Sequence, residues 1–407
     1  MKLAVSVGTV LLLALALAPC RCETEISSLL ARYKAEPGNA RLCLQIGVAY
    51  TQANQLEAAA EFYRKALTLD PALTPARKNL ATVLWFLGRK QESEAEFLAV
   101  KKATPRDPVP ELYLGLAAYE RREFPSAIAH FENAGPLAQE NPEVKPLVVE
   151  TYLAAAQEFD RQQLPEKAYR AYARALEIDP SSEAGYVELA RFASEHGNHE
   201  FALKALARGL DRMPASPKLL LQKGLTLALQ GNFEQAAPIL LQAGKFEPRW
   251  PLPLLALGVT QLQASRPAEA AATFAKAAQL SPQDSRTHYL RALALYRDGG
   301  ESDPARRAEV VAAARRALAL NGDDARARVL LARCYLADGK LEQAIEELER
   351  SLKADPRDAT ALYQLAMAYG KRGDTAGAER ALKAYRDAKA RSRKQESETI
   401  QLLRTVR

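Results

Sequence analysis

Prolines recur along this chain at a fixed spacing, and that spacing constrains the fold more than any other feature. Neighbouring prolines in two series stand 34 residues apart, and these are Pro71 and Pro105, then Pro180, Pro214, Pro248 and Pro282. Proline lacks an amide hydrogen and disfavours helix at the preceding residue, so each one ends a helix. A period of this length is typical of stacked structural repeats, which lengthen without needing one large core.

The residues from 40 to 73 show what one period contains. Two stretches with helical periodicity flank a polar turn at residues 53–55. The residues that share a helical face are Ile46, Gly47 and Tyr50 in the first stretch and Ala59, Tyr63 and Ala66 in the second. Small residues let two antiparallel helices approach closely, and the tyrosines fill the space beside them. Each period therefore predicts one helix–turn–helix unit.

The same small and aromatic residues return in later periods. They include Gly115, Ala127 and Phe131, then Ala168, Tyr172 and Ala175, then Gly224 and Ala236, and finally Gly258, Ala270 and Phe274. This pattern resembles the tetratricopeptide repeat family. The resemblance implies an all-α fold, a right-handed superhelical solenoid of about ten antiparallel helix–turn–helix repeats. We place these repeats at 40–73, 74–107, 108–148, 149–182, 183–216, 217–250, 251–284, 285–324, 325–358 and 359–392.

Some segments depart from the pattern or flank it. Pro142 is displaced by three residues, which predicts a longer third repeat, and residues 298–304 predict a longer inter-helix loop in the eighth. In the second repeat, Ala81 and Ser93 replace the usual small residues, so its packing must be adjusted. Residues 23–39 suit an N-terminal capping helix and residues 393–407 a C-terminal one, because a solenoid must cover its end faces.

The first 22 residues are typical of a secretory signal peptide. Lys2 precedes an almost unbroken apolar run that ends at Pro19, and this run is short for a membrane span. The sequence before Cys20 also resembles the signal of bacterial lipoproteins, although Pro19 stands where that family has a small residue. Soluble export, lipidation at Cys20 and an uncleaved anchor remain open. Each places the repeats outside the cytoplasm, in the periplasm or cell envelope or as a secreted protein.

Charge and composition argue against several classes of protein. The chain has 56 Lys and Arg against 49 Asp and Glu, for a net charge of +7, and the two signs are interspersed. Nucleic-acid binding usually needs a concentrated basic stripe, so we expect no nucleic-acid partner. The richest basic stretch runs from Arg286 to Arg333, and it is either a solvated helix face or a site for an anionic partner.

No residue pattern in the chain indicates catalysis or a cofactor. Only four histidines occur, and His196 and His199 flank a Gly-Asn turn, so they do not share a helical face. No zinc-protease, serine-hydrolase, phosphate-loop or dinucleotide-binding motif is present. Cys43 and Cys334 lie far apart in sequence and are expected to be buried thiols without a disulfide. We therefore expect no enzyme, no metal and no cofactor.

The resemblance implies that each repeat's first helix lines a concave groove, which suits an extended peptide or a helix from a partner. By register, the candidate partner-binding residues are Lys78, Trp85, Tyr119, Asp160, Arg191, Tyr289 and Arg333. Trp85 and Tyr119 would be the aromatic anchors. The alternatives are packing between repeats for Trp85 and ordinary solvated charges for Arg191 and Arg333.

One specialisation of the family does not fit this chain. Repeats that clamp the C-terminal carboxylates of heat-shock chaperones need Lys and Asn one helical turn apart, followed by Asn, Lys and Arg. Lys78 stands at the first place, but Thr82 replaces the Asn and Tyr113 the final Arg. The sequence thus predicts a non-catalytic protein–protein interaction scaffold of the cell envelope that does not bind chaperone tails. The alternative is a lipid-anchored assembly factor for secretion or surface polysaccharide export.

Overall fold

The computed structural model describes residues 19–391, and the secondary structure within that range is entirely helical. The all-α prediction of stacked helix pairs is therefore confirmed. Most of the predicted signal peptide and the predicted C-terminal cap at 393–407 lie outside the described residues. The side chain of Cys20 lies outside them as well, so the lipidation hypothesis stays a prediction.

After an initial helix, the helices come in pairs, interrupted by one short extra helix and one π-helical turn. They are α1 Pro19–Ala35, α2 Ala40–Gln52, α3 Leu56–Leu69, α4 Thr74–Phe86, α5 Lys90–Ala103, α6 Pro108–Glu120, α7 Phe124–Ala134, α8 Pro136–Gln139, α9 Lys145–Arg161, α10 Pro165–Ile178, α11 Glu183–Glu195, α12 His199–Arg212, α13 Pro217–Leu229, α14 Phe233–Phe246, α15 Leu252–Gln263, α16 Pro267–Leu280, α17 Ser285–Leu295, the π turn Tyr296–Gly300, α18 Pro304–Leu320, α19 Ala325–Ala337, α20 Leu341–Ala354, α21 Ala359–Arg372 and α22 Thr375–Arg391.

Side-chain caps explain where many first helices begin. Asp107, Ser216, Asp324 and Asp358 each precede a first helix and accept a hydrogen bond from one or two backbone N–H groups of its first turn. An Asp or Ser at this place satisfies amides that have no partner inside the helix. A polar residue at the end of these repeats is therefore a helix start signal, whereas Leu73, Val144 and Pro251 precede first helices without a side-chain cap.

The turn between the two helices uses the same backbone conformation in every repeat. The fifteenth residue of each repeat has a positive φ, and these residues are Asn54, Gly88, Arg122, Gln163, Gly197, Gly231, Ser265, Gly299, Gly339 and Gly373. Six of the ten are glycine, which adopts this conformation without steric cost. Arg122, Gln163 and Ser265 adopt it with φ between 58° and 61°, so the surrounding helix pairs impose the turn on residues that do not favour it.

Close approach of the paired helices depends on a small residue facing a large one. A Cβ atom built on Gly258 would lie 2.5 Å from the Phe274 ring. In the second repeat Ala81 takes the glycine's place, and the hydroxyl of buried Ser93 donates a hydrogen bond of 2.7 Å to the Ala81 carbonyl oxygen. Ser93 therefore brings a polar contact to a position where the family pattern has alanine.

The extra residues of the two irregular repeats lie in different structures. In the third repeat they form α8, and the first helix of the fourth begins at Lys145, four residues before the predicted start. In the eighth, they form a longer connection between the two helices, as the sequence predicts. Helix α17 is followed by a π turn in which Asp298 and Gly299 have non-helical backbone angles, and residues 301–303 lead into α18. Gly299, with φ 95°, reverses the chain, and the Asp303 carboxylate caps α18.

Tertiary contacts divide the chain into two compact bodies, Met1–Gly185 and Tyr186–Arg407, with the boundary inside α11. In the N-terminal body, α1 packs on α2, and the ring of Tyr33 stands edge-on to Phe62 at 5.6 Å between centroids. In the C-terminal body, one connected apolar core extends from Leu220 to Ala381. Each body thus buries its apolar flanks between successive helix pairs.

Candidate partner-binding face

The first helices form a continuous surface inside the C-terminal body. Consecutive first helices from α13 to α21 contact one another, whereas second helices contact their neighbouring second helices weakly or not at all. The stack is therefore tighter along the first helices, which places their exposed side on the inside of the local curvature. We call this surface the inner face. It is formed by the fifth, ninth and twelfth residues of each repeat, and each predicted site residue occupies one of these places.

Trp85 lies on α4 but exposes little surface to a partner. Its side chain is 8% exposed, and its ring stands edge-on to Tyr113 of the next repeat at 5.4 Å. The Nζ of Lys90 lies 3.0 Å from the Trp85 ring centroid. Tyr113 in turn stacks on Phe97 at 4.6 Å. Trp85 thus takes part in an aromatic cluster that packs repeat 2 against repeat 3.

Tyr119 is the more accessible of the two predicted anchors. It is half-buried at the end of α6, with its ring 6.4 Å from that of Phe124. Burial raises the pKa of Tyr119 to about 12, and a hydrogen bond to the Glu150 carboxylate contributes in the same direction. The hydroxyl is therefore a neutral hydrogen-bond donor at physiological pH, held by the first helix of the next repeat.

The predicted charges of the N-terminal body are partly occupied within the protein. Lys78 pairs at 2.8 Å with Asp107, the last residue of its own repeat, which caps the next first helix, α6. Asp160 is half-buried near the end of α9 and also interacts with other protein groups. Both side chains keep some exposed surface, but neither is an isolated charge.

Arg191 lies on α11 within the C-terminal body and is held by its own helix. Its guanidinium pairs with Glu188 at 2.5 Å and with Glu195 at 3.2 Å. The two carboxylates neutralise this stretch of the inner face and fix the arginine side chain along the helix surface.

The inner face of repeats 8 and 9 has a different character. Tyr289 is only 8% exposed because the guanidinium of Arg326 lies over its ring, with the Cζ atom 4.8 Å from the centroid. Two helical turns further along, the Cζ of Arg333 lies 4.5 Å from the ring centroid of Tyr296. The predicted residues Tyr289 and Arg333 therefore belong to two neighbouring Arg–Tyr contacts between α17 with its π turn and α19. Arg326 and Tyr296 are not among the candidate residues chosen by register, although Tyr296 occupies the twelfth place of its repeat and so lies on the inner face.

Two exposed apolar residues extend the inner face into repeat 10. Tyr363 and Met367 on α21 are 43% and 44% exposed, and the Tyr363 ring lies 5.5 Å from that of Tyr385. They occupy the fifth and ninth places of their repeat, so the register that selected Tyr289 and Arg333 also identifies them. Large apolar groups of this exposure are a typical feature of interaction surfaces.

The ionisable clusters of the described residues serve packing. The Glu111 carboxylate is buried between Lys101, at 2.8 Å, and the Nδ1 of His130, at 2.6 Å. Burial alone would raise the pKa of Glu111, but the hydrogen bonds from Lys101 and His130 outweigh it and the pKa is lowered. These contacts join three helices, α5, α6 and α7.

The thiols and the remaining histidines show no reactive arrangement. Burial raises the pKa of Cys334 to about 11 and also raises that of Cys43, so both thiols are protonated at neutral pH. His196 lies against the ring of Phe192 at 4.6 Å between centroids. Within residues 19–391, no group of three potential ligands is placed to hold a metal ion.

No helix in the described part of the chain combines the length and the apolar character that a membrane crossing requires.

The chain is similar to several known proteins. A curated relative, the mouse (Mus musculus) protein O-mannosyl-transferase TMTC3, is 23% identical over 181 residues, which cover 41% of this chain. The matched region spans only 19% of that protein. Among solved structures, yeast Tom70 is 14% identical with a TM-score of 0.43, and the match covers 95% of this chain and 91% of that one.

A tetratricopeptide repeat protein from Parabacteroides merdae is 16% identical with a TM-score of 0.47, over 63% of this chain and 98% of its own. Family models described as tetratricopeptide repeat match residues 40–73, 187–249, 255–309, 305–357 and 336–395. These matches cover more than half of the chain and fall on the observed helix pairs of both bodies. The chain belongs to the tetratricopeptide repeat family.

Proposed function

We propose that this protein is a non-catalytic scaffold that holds a partner peptide or helix against its inner face. The observation that carries the proposal is the place of two partly exposed tyrosines in the repeats. Tyr119 and Tyr363 occupy inner-face places of first helices and keep exposed surface. Second helices also carry exposed rings, Tyr169 and Phe246, so the test must compare the two sides. Exposed amphipathic rings are suited to bind a partner.

Family membership supports the same proposal. Repeats of this family generally serve to bind other proteins, and the C-terminal body presents its first helices as one side of a stack. A peptide or helix laid across several first helices would contact several repeats at once. Of the candidate reactive groups, His130 is hydrogen-bonded to Glu111 in a packing contact, and burial raises the pKa of the Cys334 thiol to about 11.

The test is affinity capture by the full chain with matched variants. Tyr119→Ala and Tyr363→Ala change the inner face, while Tyr169→Ala and Leu98→Ala change exposed residues on second helices. We expect the two inner-face substitutions to reduce the amount of one specific retained protein and the two second-helix substitutions to leave it unchanged. Equal retention by all four variants would remove the inner face from the proposal.

We also propose that the protein works in the cell envelope. The support is the apolar N-terminal segment, which has the composition of an export signal. The alternative is a lipid-anchored assembly factor for secretion or surface polysaccharide export, tethered through Cys20. Mass spectrometry of the mature N-terminus separates the two: an unmodified Glu23 supports soluble export, and an acylated Cys20 supports the tethered form.

A further inference from the structure

The first helices of repeats 8 and 9 are rich in arginine. Helices α17 and α19 together contain five arginines and no Asp, Glu or Lys. The first helix α11, in contrast, has three glutamates and one arginine, and α15 has no charged residue. Helices α13 and α21 each carry two basic residues and no acidic one, so α19, with three arginines, has the largest positive charge among these first helices.

Two of these arginines lie over tyrosine rings and donate no hydrogen bond to a carboxylate in the described part of the chain, although Arg326 keeps a long ion pair with Asp324. Arg333 lies over the ring of Tyr296, and within residues 19–391 it has no carboxylate at ion-pair distance and no hydrogen-bond acceptor. Arg326 lies over the ring of Tyr289, and its Nε is 3.8 Å from the Asp324 carboxylate, beyond hydrogen-bond distance. Asp324 itself accepts the backbone N–H groups of Arg326 and Ala327.

Contact with an aromatic ring fixes an arginine without satisfying its N–H groups. The ring attracts the guanidinium through its π face, whereas the five N–H donors need oxygen acceptors. Because the side chains are already positioned, little conformational entropy is lost when an acceptor arrives. Arg307 and Arg328 show the opposite arrangement, since both donate to carboxylates and to backbone carbonyl oxygens of the protein.

We propose that Arg326 and Arg333 form a binding site for an acidic peptide segment, each arginine pairing with one carboxylate. The two arginines are seven residues apart on one helix, which is about 10.5 Å along its axis. A peptide in the polyproline II conformation covers about 9.3 Å in the three residues of one turn, so its side chains i and i+3 point to the same side. The site therefore fits carboxylates at positions i and i+3, with the intervening residues near the edges of Tyr289 and Tyr296.

Other charges on this face leave that fit intact. Arg286 is paired with Asp284 at 3.0 Å, and Glu301 interacts with Tyr296 rather than with Arg333. The chain's own residues 392–407 contain four basic residues and two glutamates, so their net charge does not favour this site. Two isolated arginines between tyrosines also differ from the continuous basic stripe that a nucleic acid needs.

The test measures fluorescence anisotropy of a labelled 12-residue peptide with Glu at every third position and Ala or Ser elsewhere, added to the full chain. We expect binding that weakens as salt rises. Arg333→Ala and Arg326→Ala should each weaken it by about tenfold or more, as expected for loss of a charge-assisted hydrogen bond. The same peptide with Gln for Glu should not bind.

The control is the double substitution Arg350→Ala and Lys353→Ala, which removes two positive charges, one more than either single substitution, from the second helix α20. This variant should bind the peptide like the unaltered chain. Arg333→Lys keeps the charge but loses the planar donor fork, so it should bind with intermediate affinity. Far-ultraviolet circular dichroism of each variant establishes that it is folded.

The proposal deepens the proposed scaffold function and can fail separately from it. Three results would each overturn the proposal. The α20 control could weaken binding as much as the arginine substitutions do, or the Gln peptide could bind. Oligouridylate at stoichiometric concentration could also displace the Glu peptide. A partner that the inner face captures while the Glu peptide does not bind would leave the scaffold function standing and remove only the acidic-peptide site.

Discussion

Repeat 10 offers two glycines that separate backbone conformation from packing. Gly370 and Gly373 both have open space around the position of a Cβ atom, with no neighbouring atom within 4 Å. Gly370 lies inside α21, whereas Gly373 follows it with φ 85°. Alanine at either position therefore changes only the preference of the backbone.

The expected effects have opposite signs. In Gly373→Ala, the left-handed conformation lowers the free energy of unfolding by about 1–2 kcal/mol. The reduced entropy of the unfolded chain raises it by about 0.4–1 kcal/mol, so the net destabilisation is about 1 kcal/mol. Gly370→Ala gains about 0.5–1 kcal/mol, because glycine is the poorer helix former. The two variants should differ by about 1.5–2 kcal/mol.

Native-state hydrogen exchange of the α21 amides measures this difference locally, which suits a repeat protein whose units open separately. Since 1.4 kcal/mol corresponds to tenfold, we expect exchange about fivefold faster in Gly373→Ala and about two- to fivefold slower in Gly370→Ala. Exchange that is unchanged or slower in Gly373→Ala would refute the role assigned to the left-handed turn.

Three further outcomes follow from buried contacts. Gly258→Ala should destabilise the fold by about 1–3 kcal/mol and so lower the thermal midpoint, because the added Cβ meets the Phe274 ring at 2.5 Å. An unchanged midpoint contradicts this. Glu111 has a lowered pKa, so its stabilisation is present above its unfolded pKa and is lost as pH falls through the folded value; in urea titrations, Glu111→Gln should flatten this acid dependence. Cys334 should resist iodoacetamide until the protein unfolds, and rapid native labelling would show otherwise.

The pairing of helices and their register follow from the sequence because they depend on local patterns. Spacing of Gly, Ala and aromatic residues places Gly258 against Phe274 without knowledge of the rest of the fold. The same register locates the left-handed turn, although Arg122, Gln163 and Ser265 give no local sign of it. Their conformation is set by the two helices they connect, so only comparison of the repeats reveals it.

The inner face was harder to predict because exposure there depends on the next repeat. Trp85 and Tyr119 share one register position, yet Tyr113 of the following repeat covers Trp85 while Tyr119 stays half-exposed. Likewise, Arg191 finds carboxylates on its own helix, whereas Arg333 lies over a tyrosine of the preceding repeat. Periodicity identifies the face, and the partner of each residue across the repeat boundary decides what the face presents.

Site-specific photo-crosslinking tests the inner-face proposal most directly. Benzoylphenylalanine would replace Tyr363 on the first helix α21 or Tyr169 on the second helix α10, two tyrosines with nearly equal exposure at 43% and 44%. We predict that the captured partner forms a covalent product from position 363 and from position 119, and none from position 169. A partner that crosslinks from position 169 and from neither inner-face position would contradict the account.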